Sequence, residues 1–196
     1  MNKQRLETIS DGIFAIIITV MLVELKIPEG SDFTALKSEL HFILSYLLSF
    51  IYIGIYWNNH HHLFQVVKNI NGKILWINLH LMFWLTMIPF VTAWSSATNY
   101  AAFPTASYAF ILFMCSLSYR LLERMLIRTE GEQSLIAHLL GRDSKLFLSV
   151  LLYGTSIFLS FIDPRLALLT LSMLAIFWFF PNKKIEQHFS GASSDE

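Results

Sequence analysis

An arginine, a serine and an aspartate stand at the start of a helix that is otherwise apolar. Arg5, Ser10 and Asp11 lie in the stretch RLETISDGIFAIIITVMLVELKIP, residues 5–28. A charged side chain at membrane depth costs roughly 2.5–3.5 kcal/mol on insertion scales, so it is kept where it serves structure or transport. Beyond Asp11 the run has polar relief only at Thr19, before Glu24 and Lys26. A second polar group, Trp57-Asn58-Asn59-His60-His61-His62, closes a later apolar segment, and Asn78 and His80 follow near the start of the next. Buried donors and acceptors need partners in hydrocarbon. One network is therefore expected to hold Arg5, Ser10, Asp11, Trp57, Asn58, His60, His61 and Asn78. In it arginine and aspartate neutralise each other, and the amides and imidazoles take up the remaining valences.

Metal chemistry is the competing use of such histidines. Successive residues of a helix point about 100° apart, so His60, His61 and His62 cannot all face one ion. The HxxHH-type boxes of membrane di-iron enzymes are absent, and His60 or His61 with His80 would make only a partial site. The network is the preferred reading; no metal and no cofactor are expected. Enzyme signatures are absent too, with no Walker motif, GxSxG, glycine-rich dinucleotide loop or HExxH. The chain is read as a non-enzyme.

Composition says what must position these groups. The 196 residues are 55% hydrophobic, 15% aromatic and 14% charged, against about 25% charged in a soluble domain. Mean hydropathy is +0.53. A formal net charge of zero implies no bulk attraction to nucleic acid. Since about 20 apolar residues span a bilayer, the expected class is an all-α integral membrane protein with six transmembrane helices. The spans are placed at residues 8–26, 39–60, 74–94, 104–126, 145–162 and 165–181. Residues 1–186 form the membrane domain, and the polar tail 187–196 is expected to be disordered. Lone Cys115 sits in an apolar run and reads as packing.

Breakers and charges support the layout. Pro28 and Gly30 follow the first span, Asn71-Gly72 precedes the third, Gly131 follows the fourth and Pro181 closes the sixth. Pro89 is expected to kink or end the third span, and Asp163-Pro164-Arg165 leaves the last two as a tight hairpin. Lys3, Arg5, Lys68, Lys73, Arg120, Arg124, Arg128, Arg142, Lys145, Lys183 and Lys184 collect on one side. Only Lys26, Lys37 and Arg165 collect on the other. Positive charge marks the cytoplasmic side, so the expectation is a multi-pass cell-membrane protein with both termini cytoplasmic. Asp11 interrupts the first apolar run and no small-residue cleavage site follows, so that run is read as a retained helix, not a leader. Leu135, Ile136, Leu139 and Leu140 repeat at helical spacing and suggest a short helix at the membrane surface.

On the first helix, Ile16, Val20 and Val23 share one stripe with Thr19 at its edge, and Asp11 projects about 140° from Ile16. Such a stripe could line a pore while Asp11 packs back into the subunit. Any buried helix also carries an apolar stripe, and periodicity by itself favours that plainer reading. A potassium filter of the TVGYG type is absent. Arg120, Arg124 and Arg128 recur every fourth residue, not every third as in a voltage sensor, so topology explains them.

Arg5-x4-Ser10-Asp11-Gly12 followed by Ala15-Ile16-x2-Thr19 resembles the first-helix signature of the prokaryotic transmembrane protein 175 family, relatives of the lysosomal potassium channel. Tyr56-Trp57 to Phe64, and Asn78-Leu79 through Ile88-Pro89-Phe90-x-Thr92, extend the likeness over residues 5–94. The resemblance implies a homotetramer whose first helices line a central potassium pathway. Ile16 would be its narrow apolar constriction, Thr19 its selectivity layer, and Val20 and Val23 its continuation. Arg5, Ser10 and Asp11 would hold the first helix against the second and third. Ile9 departs from the family's phenylalanine before Ser-Asp, and Val20 and Val23 are smaller than its usual leucines. The expected function is thus passive conduction of K+, and of other monovalent cations, through a tetrameric pore in the bilayer. The alternative is a proton-coupled secondary transporter using Asp11 and the histidines of the second and third spans, although no paired internal repeat accompanies it.

Overall fold

The computed structural model describes residues 2–140 and 144–179. Every regular element among them is helical. In chain order they are α1 (Lys3–Val23), α2 (Phe33–Ser38), α3 (Leu40–Gln65), α4 (Gly72–Thr86), α5 (Ile88–Ala97), α6 (Ala102–Glu130), α7 (Leu135–Leu140), α8 (Ser144–Ile162) and α9 (Pro164–Phe179).

Local chemistry sets the helix ends. The side chains of Asn2, Asp32 and Asn71 accept from the backbone N–H groups of Gln4, Ala35 and Ile74, each at 3.0 Å. These are three N-caps that satisfy first-turn donors left without an intrahelical partner. Asp163 does the same for α9, with Oδ1 2.9 Å from the N–H of Arg165. Gly131, at φ +96, stops α6 while its N–H still reaches the carbonyl of Ile127 at 2.8 Å. Pro89 lies in the first turn of α5, where its missing N–H costs nothing, and the chain breaks between α4 and α5 at Met87. That break is the interruption expected at this proline.

Among the described residues, three helices are long and apolar enough to cross a membrane: Lys3–Val23, Leu40–Gln65 and the interrupted Gly72–Ala97. Two shorter apolar helices, Phe147–Ile162 and Pro164–Trp178, follow. α6 is the centre of the bundle and packs on α4, α5, α8 and α9, while α3 packs on α1, α5 and α9. One continuous apolar core joins Phe14 and Met21 of α1 with Tyr52 and Phe64 of α3, Leu81 of α4, Leu112 of α6, Tyr153 of α8 and Leu171 of α9. α7 belongs to it as well, because Ile136 is fully buried. The helix expected at the surface is therefore anchored inward. Tail residues 187–196, together with Arg142, Pro181, Lys183 and Lys184, lie outside the described residues.

The α5–α6 turn places a tyrosine inward. Asn99 and Tyr100 take φ of 49° and 59°, in the left-handed region that Asn tolerates and a bulky residue does not favour. The Tyr100 N–H bonds the Ser95 carbonyl at 2.8 Å, and its hydroxyl donates to the His41 carbonyl at 2.7 Å. The turn thereby directs the Tyr100 side chain to α3.

Candidate functional site

α1 divides into two faces. Leu6, Ser10, Phe14, Ile17 and Met21 are buried, at spacings of three and four, and face α3, α4 and α5. The opposite face is uncovered by the other described residues: Ile16 is 62% exposed, Val20 43% and Val23 83%. A Cβ added at Gly12, one turn before Ile16, would meet nothing within 4 Å. Thr19 is on this face, and its hydroxyl donates to the carbonyls of Ile16 at 2.9 Å and Ala15 at 3.1 Å. With its proton turned into the helix, the oxygen presents lone pairs outward, as a cation ligand would.

Behind this face lies a buried polar chain linking three helices. Ser10 is fully buried; its Oγ donates to the Leu6 carbonyl at 2.9 Å and accepts from Asn78 Nδ2 at 3.0 Å. The other end of that amide, Oδ1, is 2.8 Å from His60 Nε2. An amide oxygen only accepts, so Nε2 of His60 carries the proton in this arrangement. Phe14 and Phe64 enclose the imidazole, with ring centroids 5.7 and 4.6 Å away. Asn78 therefore clamps α4 to α1 and α3 simultaneously.

A second set of contacts is nearer the surface. Trp57 Nε1 donates to Asp11 Oδ1 at 3.0 Å, and the Trp57 ring stacks on His61 at 6.0 Å. Gln65 then ties both remaining histidines, with Nε2 2.8 Å from His61 Nε2 and Oε1 3.3 Å from His62 Nδ1. Lys3 Nζ reaches the Gln65 carbonyl at 3.5 Å, closing the start of α1 against the end of α3. Gln65 is absent from the sequence reading. Its signal was available, since it stands four residues after His61 and three after His62.

Not every expected partner arrives. Arg5 makes no ion pair with Asp11 among the described residues; the indole of Trp57 takes that carboxylate instead. Asp11 itself is exposed and does not pack into the subunit interior. Asn58 is exposed and joins none of these contacts. His80 points elsewhere, accepting from Trp84 Nε1 at 3.0 Å and meeting Ser118 of α6 at 3.0 Å. Two residues on a helix diverge by about 200°, so His80 cannot share the face of Asn78. Among the described residues no cluster of three or more His, Cys, Asp or Glu could hold a metal.

A family model described as the endosomal/lysosomal potassium channel TMEM175 matches residues 5–89. A protein of Chryseobacterium sp. (strain P1-3), named a potassium channel, is 46% identical over 187 residues, covering 95% of this chain and 97% of the relative. A Streptomyces collinus protein, also named a potassium channel, is 31% identical over 141 residues, covering 66% of this chain and 67% of the relative. Among solved structures, a lysosomal potassium-selective channel TMEM175 homolog from Chamaesiphon minutus superposes with a TM-score of 0.76 at 28% identity. That superposition covers 90% of this chain and 95% of the homolog.

Proposed function

This chain belongs to the TMEM175 family, and from that premise we propose that it is a potassium channel whose pore is lined by α1. The observation that carries the proposal is the division of α1. One face is sealed into its own subunit, while the Ile16, Thr19, Val20 and Val23 face has no cover among the described residues. A single such helix encloses nothing, so a pathway requires several copies around an axis, and a cyclic homotetramer is the arrangement we infer.

In that assembly each subunit crosses the bilayer six times, by α1, α3, the α4–α5 pair, α6, α8 and α9. Both termini lie in the cytoplasm, a placement that the eleven-to-three division of basic residues supports. Residues 1–186 act as one membrane domain followed by a polar tail.

Mechanism follows from the side chains. Four Ile16 side chains at one level form an apolar neck that excludes ions by dewetting. Four Thr19 hydroxyls, their protons held by the helix carbonyls, offer oxygens that replace part of a potassium ion's water shell. Glu24, exposed at the end of α1, raises the local cation concentration at the outer mouth. No cofactor is required, because conduction is passive. The Ser10–Asn78–His60 chain and the Asp11–Trp57 contact hold the rotation of α1, and that rotation decides which residues face the axis.

Flux through liposomes containing purified protein tests this reading. Passive, non-saturating flux that favours K+ over Na+ and changes at Thr19 supports it. Saturable flux that requires a proton gradient rejects it in favour of a carrier.

A further inference from the structure

α6 carries one exposed stripe along its length. Phe103, Phe110, Leu117, Leu121, Arg124 and Arg128 are all exposed, and at 100° per residue they fall within about 60° of one another. The stripe runs between the flank of α6 that meets α4 and the flank that meets α8. Its chemistry changes abruptly along the helix. From Phe103 to Leu121 the stripe is apolar over about 27 Å of rise, close to the roughly 30 Å hydrocarbon thickness of a bilayer. The two arginines come in the next two turns, at headgroup level. An excess of basic residues on one side of a membrane explains which end of α6 carries arginine. It does not explain why both arginines share the face of the exposed Phe and Leu residues.

α4 brings a third cation to the same place. The Trp84 and Phe110 rings meet edge to face at 5.9 Å, His80 Nδ1 lies 3.0 Å from Ser118 Oγ, and Asn71 Nδ2 reaches Thr129 Oγ1 at 3.3 Å. These contacts fix an antiparallel register in which Lys73 is level with the turn from Arg124 to Arg128. Direction agrees with level. On α4, Lys73 lies within about 20° of both His80 and Trp84, the residues that meet α6. On α6, Arg128 follows Phe110 by about five turns and points the same way. Lys73 and Arg128 therefore stand on facing flanks of one α4–α6 groove, which Trp84 and Phe110 close deeper in the membrane.

No carboxylate answers these three cations among the described residues. The side chains of Lys73, Arg124 and Arg128 enter no hydrogen bond or ion pair there, and all three are exposed. The acidic residues of α6 lie on other sides of the helix. Glu123 is buried, and Glu130 is committed to the backbone N–H groups of Lys68 and Asn69. Three like charges gathered at the foot of an apolar groove favour an anion there.

We propose that Arg124, Arg128 and Lys73 hold the headgroup of an anionic phospholipid, drawn from the leaflet on the side of both termini. Each arginine presents a planar fork that matches two phosphate oxygens, and Lys73 adds a point charge from the other helix. One acyl chain lies along Leu121, Leu117 and Phe110. The apolar seat and the charges together select the occupant. A free phosphate gains the charges without the seat, and a zwitterionic lipid brings its own cation to a corner that is already positive. The site depends on the membrane placement proposed above and on no conduction step, so a failed flux experiment leaves it standing.

Native mass spectrometry of the purified protein in detergent, titrated with phosphatidylglycerol or phosphatidylcholine, tests the site. Phosphatidylglycerol is expected to bind at least tenfold more tightly than phosphatidylcholine. The double variant Arg124→Gln with Arg128→Gln should lose at least tenfold in affinity for it. Lys37→Gln with Arg165→Gln removes the same charge from the opposite end of the bundle and should stay within twofold of wild type. Excess inorganic phosphate should leave the lipid bound. Equal affinity for the two lipids, equal losses in the two double variants, or no loss in the arginine variant overturns the site. Displacement by inorganic phosphate also overturns it, by assigning the corner to a free anion. Should the arginine variant fail to elute as wild type, acetylation of the wild-type protein decides. Phosphatidylglycerol should slow labelling of Lys73 at least fivefold relative to phosphatidylcholine while Lys37 is unchanged, and equal labelling of Lys73 in the two lipids overturns the site.

Discussion

Trp57 reaches from α3 to α1 and donates its indole N–H to Asp11 Oδ1 at 3.0 Å. The carboxylate belongs to the exposed face of α1, yet it is claimed by the neighbouring helix of the same subunit. This contact opposes rotation of α1 about its own axis. Ser10, the preceding residue, is held by Asn78 on the buried side, so two adjacent positions fasten α1 to two different helices.

Trp57→Phe keeps an aromatic ring, though a smaller one, and removes the donor. Hydrogen bonds to charged groups contribute about 1.5–3 kcal/mol, and the exposure of Asp11 places this one at the lower end. The expected loss is about 1.5 kcal/mol by thermal unfolding in detergent, with Asp11→Asn, which keeps an acceptor, losing less. A loss in Trp57→Phe that Asp11→Ala does not share would show that the indole matters by packing alone.

Asn78 bonds Ser10 and His60 with its two ends, so the three residues should not behave independently. Asn78→Leu leaves a buried imidazole N–H without its acceptor, which costs about 1–3 kcal/mol. In a double-mutant cycle with Ser10→Ala, the coupling energy is expected within the 0.5–3 kcal/mol typical of residues in one network. Additive losses would mean that the Asn78–Ser10 bond contributes nothing of its own.

Much of the bundle was legible because its signals are local. Long apolar runs mark α1 and α3, Asp163-Pro164 marks the α8–α9 turn, and Pro89 marks the α4–α5 break. The six residues of α2 have no apolar run, and only the Asp32 cap announces them. The candidate site was legible as a level in the fold but not as a set of partners. Sequence can place Arg5, Asp11 and Trp57 near one end of the bundle. Which of Arg5 and Trp57 meets Asp11 depends on the rotation of α1 against α3, and that is decided by Phe14, Ile17 and Met21 packing into the core. His80 was separable from Asn78 by helix geometry alone, which requires asking which face a polar residue occupies as well as how deep it lies.

Glu130 connects the end of α6 to the loop between α3 and α4. Its Oε1 accepts from the backbone N–H groups of Lys68 at 2.8 Å and Asn69 at 2.6 Å, and Asn71 Nδ2 reaches Thr129 Oγ1 at 3.3 Å beside it. Glu130→Ala strands two donors in a loop that water can reach, so the expected cost is modest, about 1 kcal/mol. Hydrogen exchange is the sharper readout. The amides of Lys68 and Asn69 should lose protection at least tenfold while those of α4 beyond its first turn are unchanged. Retained protection at both amides would assign their order to something other than this carboxylate.

Substitution on the open face of α1 tests conduction without disturbing the subunit. Ile16 is 62% exposed and makes no part of the apolar core, so Ile16→Asn removes no internal packing. Its fold and stability should match wild type within about 0.5 kcal/mol, the range of ordinary surface substitutions. In a tetramer with Ile16 at the neck, four amides would wet the constriction that four isoleucines keep dry. Potassium flux per reconstituted protein should then rise severalfold. Ile17→Asn is the control, one residue away but fully inside the core at 2% exposure, and it should destabilise the protein by several kcal/mol instead. Thr19→Val completes the set, because it keeps the volume and removes the hydroxyl. It should lower the preference for K+ over Na+ with little effect on assembly measured by size-exclusion chromatography with light scattering. Unchanged flux in Ile16→Asn together with unchanged selectivity in Thr19→Val would move the pathway off this face of α1.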